Sequence, residues 1–150
     1  MSVGNEPQFP FQDNPNLNAS DFLVFYRAVV EHAHSVSDKV AMTLVLAASE
    51  ETYETPLFTG IIDSSDIASL NLYGGKDSSQ WLRDLDQALH VAGKPLVLQE
   101  MGLSTRTKGL NQQLQVEYIE TMGAALRNKK LLRAYFWFLV GRPLLEWQLC

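Results

Sequence analysis

The feature that most constrains this chain is an alternation of two patterns along its length. Short apolar runs of the kind buried on both faces of a sheet are followed by longer stretches with apolar residues at helical spacing. Lys39 to Ala48, KVAMTLVLAA, is nearly continuous in apolar residues and reads as a strand covered on both sides. Asp66 to Tyr73, DIASLNLY, is a second strand closed by Gly74-Gly75. Its extended backbone sets Ile67, Ser69, Asn71 and Tyr73 on one face and Ala68, Leu70 and Leu72 on the other. Lys94 to Glu100, KPLVLQE, is a third strand, and strict alternation puts Glu100 on the row of Leu96 and Leu98, with Val97 and Gln99 opposite. Leu132 to Val140 is a fourth strand, rich in aromatics.

Between these runs lie helical stripes. Phe22, Phe25, Tyr26, Val29, Val30 and Ala33 follow one, with Asn18 or Ser20 as its cap and an end near Ser35. Ser49 to Thr59 reads as a polar loop. Asp77 and Gln80 resemble a capping box opening a helix striped by Trp81, Leu82, Leu85, Ala88 and Leu89, and Gly93 is placed to end it. Leu114, Tyr118, Met122, Ala125 and Leu126 mark a further helix. Buried-type strands separated by helices imply parallel βα units with right-handed crossovers, an α/β fold in which functional groups gather at the carboxyl ends of the strands. Tyr73, Glu100 and Trp137 fall at or near such ends.

Composition narrows the function. With 150 residues and 46% apolar side chains the chain is read as a single domain, 1–150, able to bury its own core. A net charge of −5 and the lack of a basic run argue against nucleic acid as partner. One terminal cysteine, Cys150, and three histidines, His32, His34 and His90, provide no zinc framework. MSVGNEPQFP is not a secretory signal, and no apolar run is long enough to span a membrane, so a soluble chain of unassigned compartment is expected. Gly74-Gly75 lacks the rest of a phosphate-loop pattern.

Four motifs, in order, resemble the retaining (β/α)8-barrel glycoside hydrolases of the cellulase and β-mannanase type. Val3-Gly4-Asn5-Glu6-Pro7 resembles the Asn-Glu-Pro signature that ends the fourth barrel strand. Asp66 to Tyr73 is similar to the sixth strand, Lys94 to Gly102 to the seventh, and Ala134 to Trp137 to the eighth. The resemblance implies a half TIM barrel: four parallel strands with helices on one face, from the end of strand four through strand eight. Strands one to three have no counterpart, and about 250 residues are typical of the whole barrel.

The resemblance also implies roles. Glu6 is the acid/base and Glu100 the nucleophile. Asn5 binds the sugar 2-hydroxyl, Tyr73 orients Glu100, and Trp137 forms the floor of the sugar site. Residue chemistry agrees with this, because retaining hydrolysis needs two carboxyl groups about 5–5.5 Å apart. The implied substrate is a β-linked oligo- or polysaccharide, with no metal or organic cofactor. Two open sheet edges and an uncovered inner face lead further to an expected homo-oligomer. The alternative is a catalytically inactive, truncated half-barrel that acts as a self-associating or protein-interaction module.

Overall fold

The computed structural model describes residues 1–7, 10, 14, 16–49, 53–75, 77–103, 111–127 and 129, with the backbone of 133–136. Trp137, Cys150 and the expected strand beyond Phe136 lie outside these residues. Nine elements alternate among the described residues: β1 (Ser2–Asn5), α1 (Ala19–Val36), β2 (Thr43–Ala47), α2 (Pro56–Ser64), β3 (Ala68–Tyr73), α3 (Ser78–Ala92), β4 (Leu96–Gly102), α4 (Gln112–Leu126) and β5 (Arg133–Phe136). All strands are parallel, in the sheet order β1-β2-β3-β4-β5. The four expected strands are β2 to β5. The Asn-Glu-Pro segment adds β1 as a short fifth strand at the edge, paired with β2 through Ser2 and Asn5.

Local chemistry sets the helix starts. Side-chain oxygens of Asn18, Thr55, Asp77 and Asn111 each accept from a backbone N–H in the first turn of α1, α2, α3 and α4, satisfying donors that the helix itself leaves free. Gly93 ends α3 in the left-handed region at φ 59°. Helix α2 corrects the expected loop over Ser49 to Thr59. Its signals are Thr55 as cap and Pro56 in the first turn, where the missing N–H costs nothing, followed by Leu57, Phe58, Ile61 and Ile62, all buried.

The main core lies between the sheet and its helices. Leu44, Leu46, Leu70, Leu96, Leu98 and Met101 on the strands meet Tyr26, Ile61, Trp81, Leu85, Tyr118 and Met122 on the helices. Each fully buried side chain of this size contributes about 1.5–3 kcal/mol. The opposite face of the sheet is covered at its centre. Val45 and Ser69 are 1% exposed and Asn71 2%, so the expected uncovered inner face is not found there.

Gly74 shows how closely α4 approaches the turn after β3. A Cβ added there would stand 2.6 Å and 2.9 Å from Cε2 and Cδ2 of Tyr118, whose ring is buried. Gly74→Ala is therefore expected to destabilise the fold by about 1–3 kcal/mol, read from urea-unfolding midpoints. A neutral substitution would contradict this packing.

At the amino end of the strands, Asp66 ties three elements together. Its Oδ2 accepts from the Met42 backbone N–H at 2.7 Å and lies 2.9 Å from His34 Nε2. His34 is thus exposed but partnered, rather than simply solvated. Nearby, the Lys94 ammonium donates to the carbonyls of Ile62 and Ser65. The Met42 hydrogen bond, followed by the His34 contact and charge and the Lys94 charge, holds the Asp66 carboxyl below its usual range against a partial desolvation. A carboxylate with a lowered folded-state pKa stabilises the fold above its unfolded pKa, and that stabilisation is lost as pH falls through the folded value. Asp66→Asn keeps an acceptor for Met42 but no charge. The gap in unfolding midpoint between parent and variant is expected at pH 7 and should close below about pH 3; a constant gap would refute the charge argument.

Candidate active site

Because the strands are parallel, their carboxyl ends share one edge of the sheet, and the candidate residues are distributed along it. Asn5 closes β1 and Glu6 follows it. Tyr73 closes β3, and Glu100 lies two residues before the end of β4.

The face on which Glu100 lies is decided by a β-bulge. In the β3–β4 ladder, Ser69 pairs with Val97 and Leu70 with Leu98, but Asn71 pairs with Glu100, so Gln99 is the extra residue. Strict alternation had set Glu100 beside Leu96 and Leu98. The bulge turns it to the other face, on the row of Val97, Ser69 and Asn71, away from the helix-side core. Gln99 serves the same face, since the Ser69 hydroxyl donates to its Oε1 at 3.2 Å. A register shift in β1 pairs Asn5 with Val45, which pairs with Ser69, so Asn5 joins this row too.

Two hydrogen-bonded groups result. In one, the Tyr73 hydroxyl donates to Glu100 Oε2 at 2.5 Å. Burial, then the Glu100 hydrogen bond and the charges of Glu100 and Glu6, push this phenol above its ordinary pKa. Tyr73 is therefore protonated at neutral pH and acts as a fixed donor to Glu100, although its ring is half-exposed. In the other, the Asn71 amide donates to Glu6 Oε1 at 2.9 Å and to Asn5 Oδ1 at 3.2 Å. Both groups lie along the same carboxyl edge of the sheet, and the charges of both carboxylates raise the Tyr73 phenol.

Glu6 itself has φ 47°, a left-handed backbone that a non-glycine residue seldom adopts. Such a conformation costs on the order of 1–3 kcal/mol and persists only where neighbours impose it. Here its N–H donates to the Val45 carbonyl at 2.7 Å, while Asn71 holds the carboxylate.

Of the residues singled out in the sequence, the structure brings Asn5, Glu6, Tyr73 and Glu100 to one edge. Trp137 lies outside the described residues. Asn71 is the residue that sequence reasoning passed over. Its signal was present, as an amide between Leu70 and Leu72 on the row of Ser69 and Tyr73.

Comparison with known proteins identifies the fold. No protein-family model and no curated protein matches the chain. Among solved structures, it is similar to a calcium-binding mutant of Bacteroides uniformis β-glucuronidase 2, with TM-score 0.69 and 19% identity over 91% of this chain and 19% of that one. It is also similar to a Bacteroides uniformis β-glucuronidase, with TM-score 0.61 and 19% identity over 79% of this chain and 15% of that one. A glycoside hydrolase family 17 β-1,3-glucanosyltransferase from Rhizomucor miehei matches with TM-score 0.60 and 15% identity, over 88% of this chain and 51% of its own. The fold is a half-barrel of parallel βα units, shared with these TIM-barrel enzymes. The half-barrel spans about a fifth or less of the two glucuronidase chains and about half of the glucanosyltransferase. At these identities the likeness concerns the fold alone.

Proposed function

We propose that the half-barrel hydrolyses β-glycosidic bonds with retention of configuration, in an assembled site built around Glu6 and Glu100. The observation that carries this reading is that two carboxylates at the carboxyl edge of a parallel sheet each have a dedicated donor, Asn71 for Glu6 and Tyr73 for Glu100. The glycoside-hydrolase fold supports it.

In this reading a Glu100 oxygen attacks the anomeric carbon as Glu6 gives its proton to the departing glycosidic oxygen. The glycosyl–oxygen bond breaks and a glycosyl ester forms on Glu100. Glu6, now ionised, removes a proton from water, which attacks the same carbon and releases the sugar with its original anomeric configuration. Tyr73 holds Glu100 in its attacking orientation. Asn5 is suited to hydrogen-bond the sugar 2-hydroxyl, and Trp137 to support the apolar face of a pyranose. The substrate class is a β-linked glucan, mannan or related glycoside, and neither metal nor organic cofactor takes part.

Proton NMR of the first-formed sugar tests the stereochemistry, using aryl β-glucosides, β-mannosides and β-glucuronides. The β-anomer should appear first and then mutarotate. Initial release of the α-anomer would overturn the two-glutamate retaining mechanism.

A second reading is a catalytically inactive, self-associating module. It is favoured by Val24 and Phe25 on α1, 66% and 55% exposed, apolar surface of a kind that partner chains cover. Light scattering separates the two: self-association without hydrolysis of any glycoside would support the module.

A further inference from the structure

We infer that Asn71 is a positioning residue for the acid/base, and that it decides which oxygen of Glu6 carries the transferable proton. This rests on the acid/base role proposed for Glu6.

Asn71 lies in the middle of β3 and is 2% exposed. A buried amide is costly unless its polar atoms are used, and this one is used on one side only. Its Nδ2 donates to Glu6 Oε1 at 2.9 Å and to Asn5 Oδ1 at 3.2 Å, whereas its Oδ1 has no hydrogen-bond partner among the described residues. The orientation of the amide follows from chemistry, since an ionised carboxylate and an amide oxygen only accept, so the NH2 group must face both. One N–H serves each acceptor. The site thus leaves a buried oxygen unpaired in order to aim two donors at Asn5 and Glu6.

Two consequences follow. With Oε1 of Glu6 engaged by a donor, a proton on this carboxyl resides on Oε2, the oxygen left free to face a leaving group. The same NH2 also joins the acid to Asn5, so the group suited to the 2-hydroxyl and the group suited to the leaving oxygen move as one unit. The unusual backbone of Glu6, at φ 47°, is consistent with a side chain held from outside its own strand.

The test has two arms. The first requires no catalysis: the side-chain amide resonances of Asn71 are followed by 15N–1H NMR in the parent and in Glu6→Ala. Slowed amide-proton exchange in the parent, lost in Glu6→Ala, is expected; unprotected protons in both would overturn the contact and the inference with it. The second arm compares leaving groups. Asn71→Leu keeps the volume of the side chain but removes both donors, and circular dichroism with urea unfolding establishes that it is folded. It is expected to lower hydrolysis of a phenyl β-glycoside, whose leaving group needs a proton, by ~10²-fold, while leaving a 2,4-dinitrophenyl β-glycoside within about threefold of the parent. Equal losses on both substrates, or a loss on neither, would overturn the positioning role. If the parent hydrolyses neither substrate, the acid/base reading fails, and the inference with it, while the NMR arm still shows whether the contact exists.

Discussion

Glu100→Gln is expected to reduce glycoside hydrolysis by on the order of 10³-fold or more, the scale of loss seen when a catalytic nucleophile is removed. The substitution isolates the chemistry from the fold. Glutamine is nearly isosteric and still offers an amide oxygen to the Tyr73 hydroxyl, which now donates to Glu100 Oε2. The bulge that turns position 100 to the site face is a backbone feature and does not depend on the charge. What is lost is an anionic oxygen able to form the glycosyl ester. Initial rates on the most reactive aryl glycoside, with circular dichroism and unfolding midpoint as controls, give the result. A variant within about tenfold of the parent would remove Glu100 from the nucleophile's role.

Trp81→Ala is expected to cost about 3–5 kcal/mol, a large share of the roughly 5–15 kcal/mol that holds a typical domain folded. Trp81 is 1% exposed, stands edge-on to Tyr118 at 5.1 Å between ring centroids, and donates from Nε1 to the Gly75 carbonyl at 2.9 Å. Tyr118 in turn donates to the Leu72 carbonyl. The pair therefore joins α3 and α4 to the end of β3 and to the turn that follows Tyr73. Removing the indole opens a cavity and frees that turn, so loss of stability should come with loss of order at Tyr73. The contrast is Leu82→Ala on the same helix, at a half-exposed position, where a change within about 0.5 kcal/mol is expected. Urea-unfolding midpoints measure both. A Trp81→Ala cost below about 1 kcal/mol would contradict the packing described here.

What the sequence made legible was whatever depends on burial. Strand β2 carries apolar residues on both faces and is buried along its centre, so its near-continuous apolar run was a reliable signal. The helices α1, α3 and α4 were marked by their stripes, and Asn18, Asp77 and Gly93 act as the caps and stop that their side-chain chemistry suggests. Helix α2 was obscured because Thr55 and Pro56 serve both loops and helix starts, and Gly60 interrupts the stripe behind them. The site was less legible than the fold. A bulge at Gln99 reverses the face of Glu100, and alternation rules carry no information about where a strand takes in an extra residue. Asn71 was visible as an amide between two leucines of a buried strand, but its partners Asn5 and Glu6 are more than sixty residues away. Such a contact is created by the adjacency of strand ends and not by any local pattern.

The central claim, that Glu100 forms the covalent glycosyl intermediate, is tested most directly by trapping that intermediate. The protein is incubated with 2-deoxy-2-fluoro β-glycosides of the glucose, mannose and glucuronic acid series carrying a good leaving group, then analysed by intact and peptide mass spectrometry. The account predicts a mass gain of a single fluoroglycosyl unit, located on Glu100 and absent from Glu100→Gln. Turnover of the parent glycosides without any adduct, or an adduct on a residue other than Glu100, would contradict it.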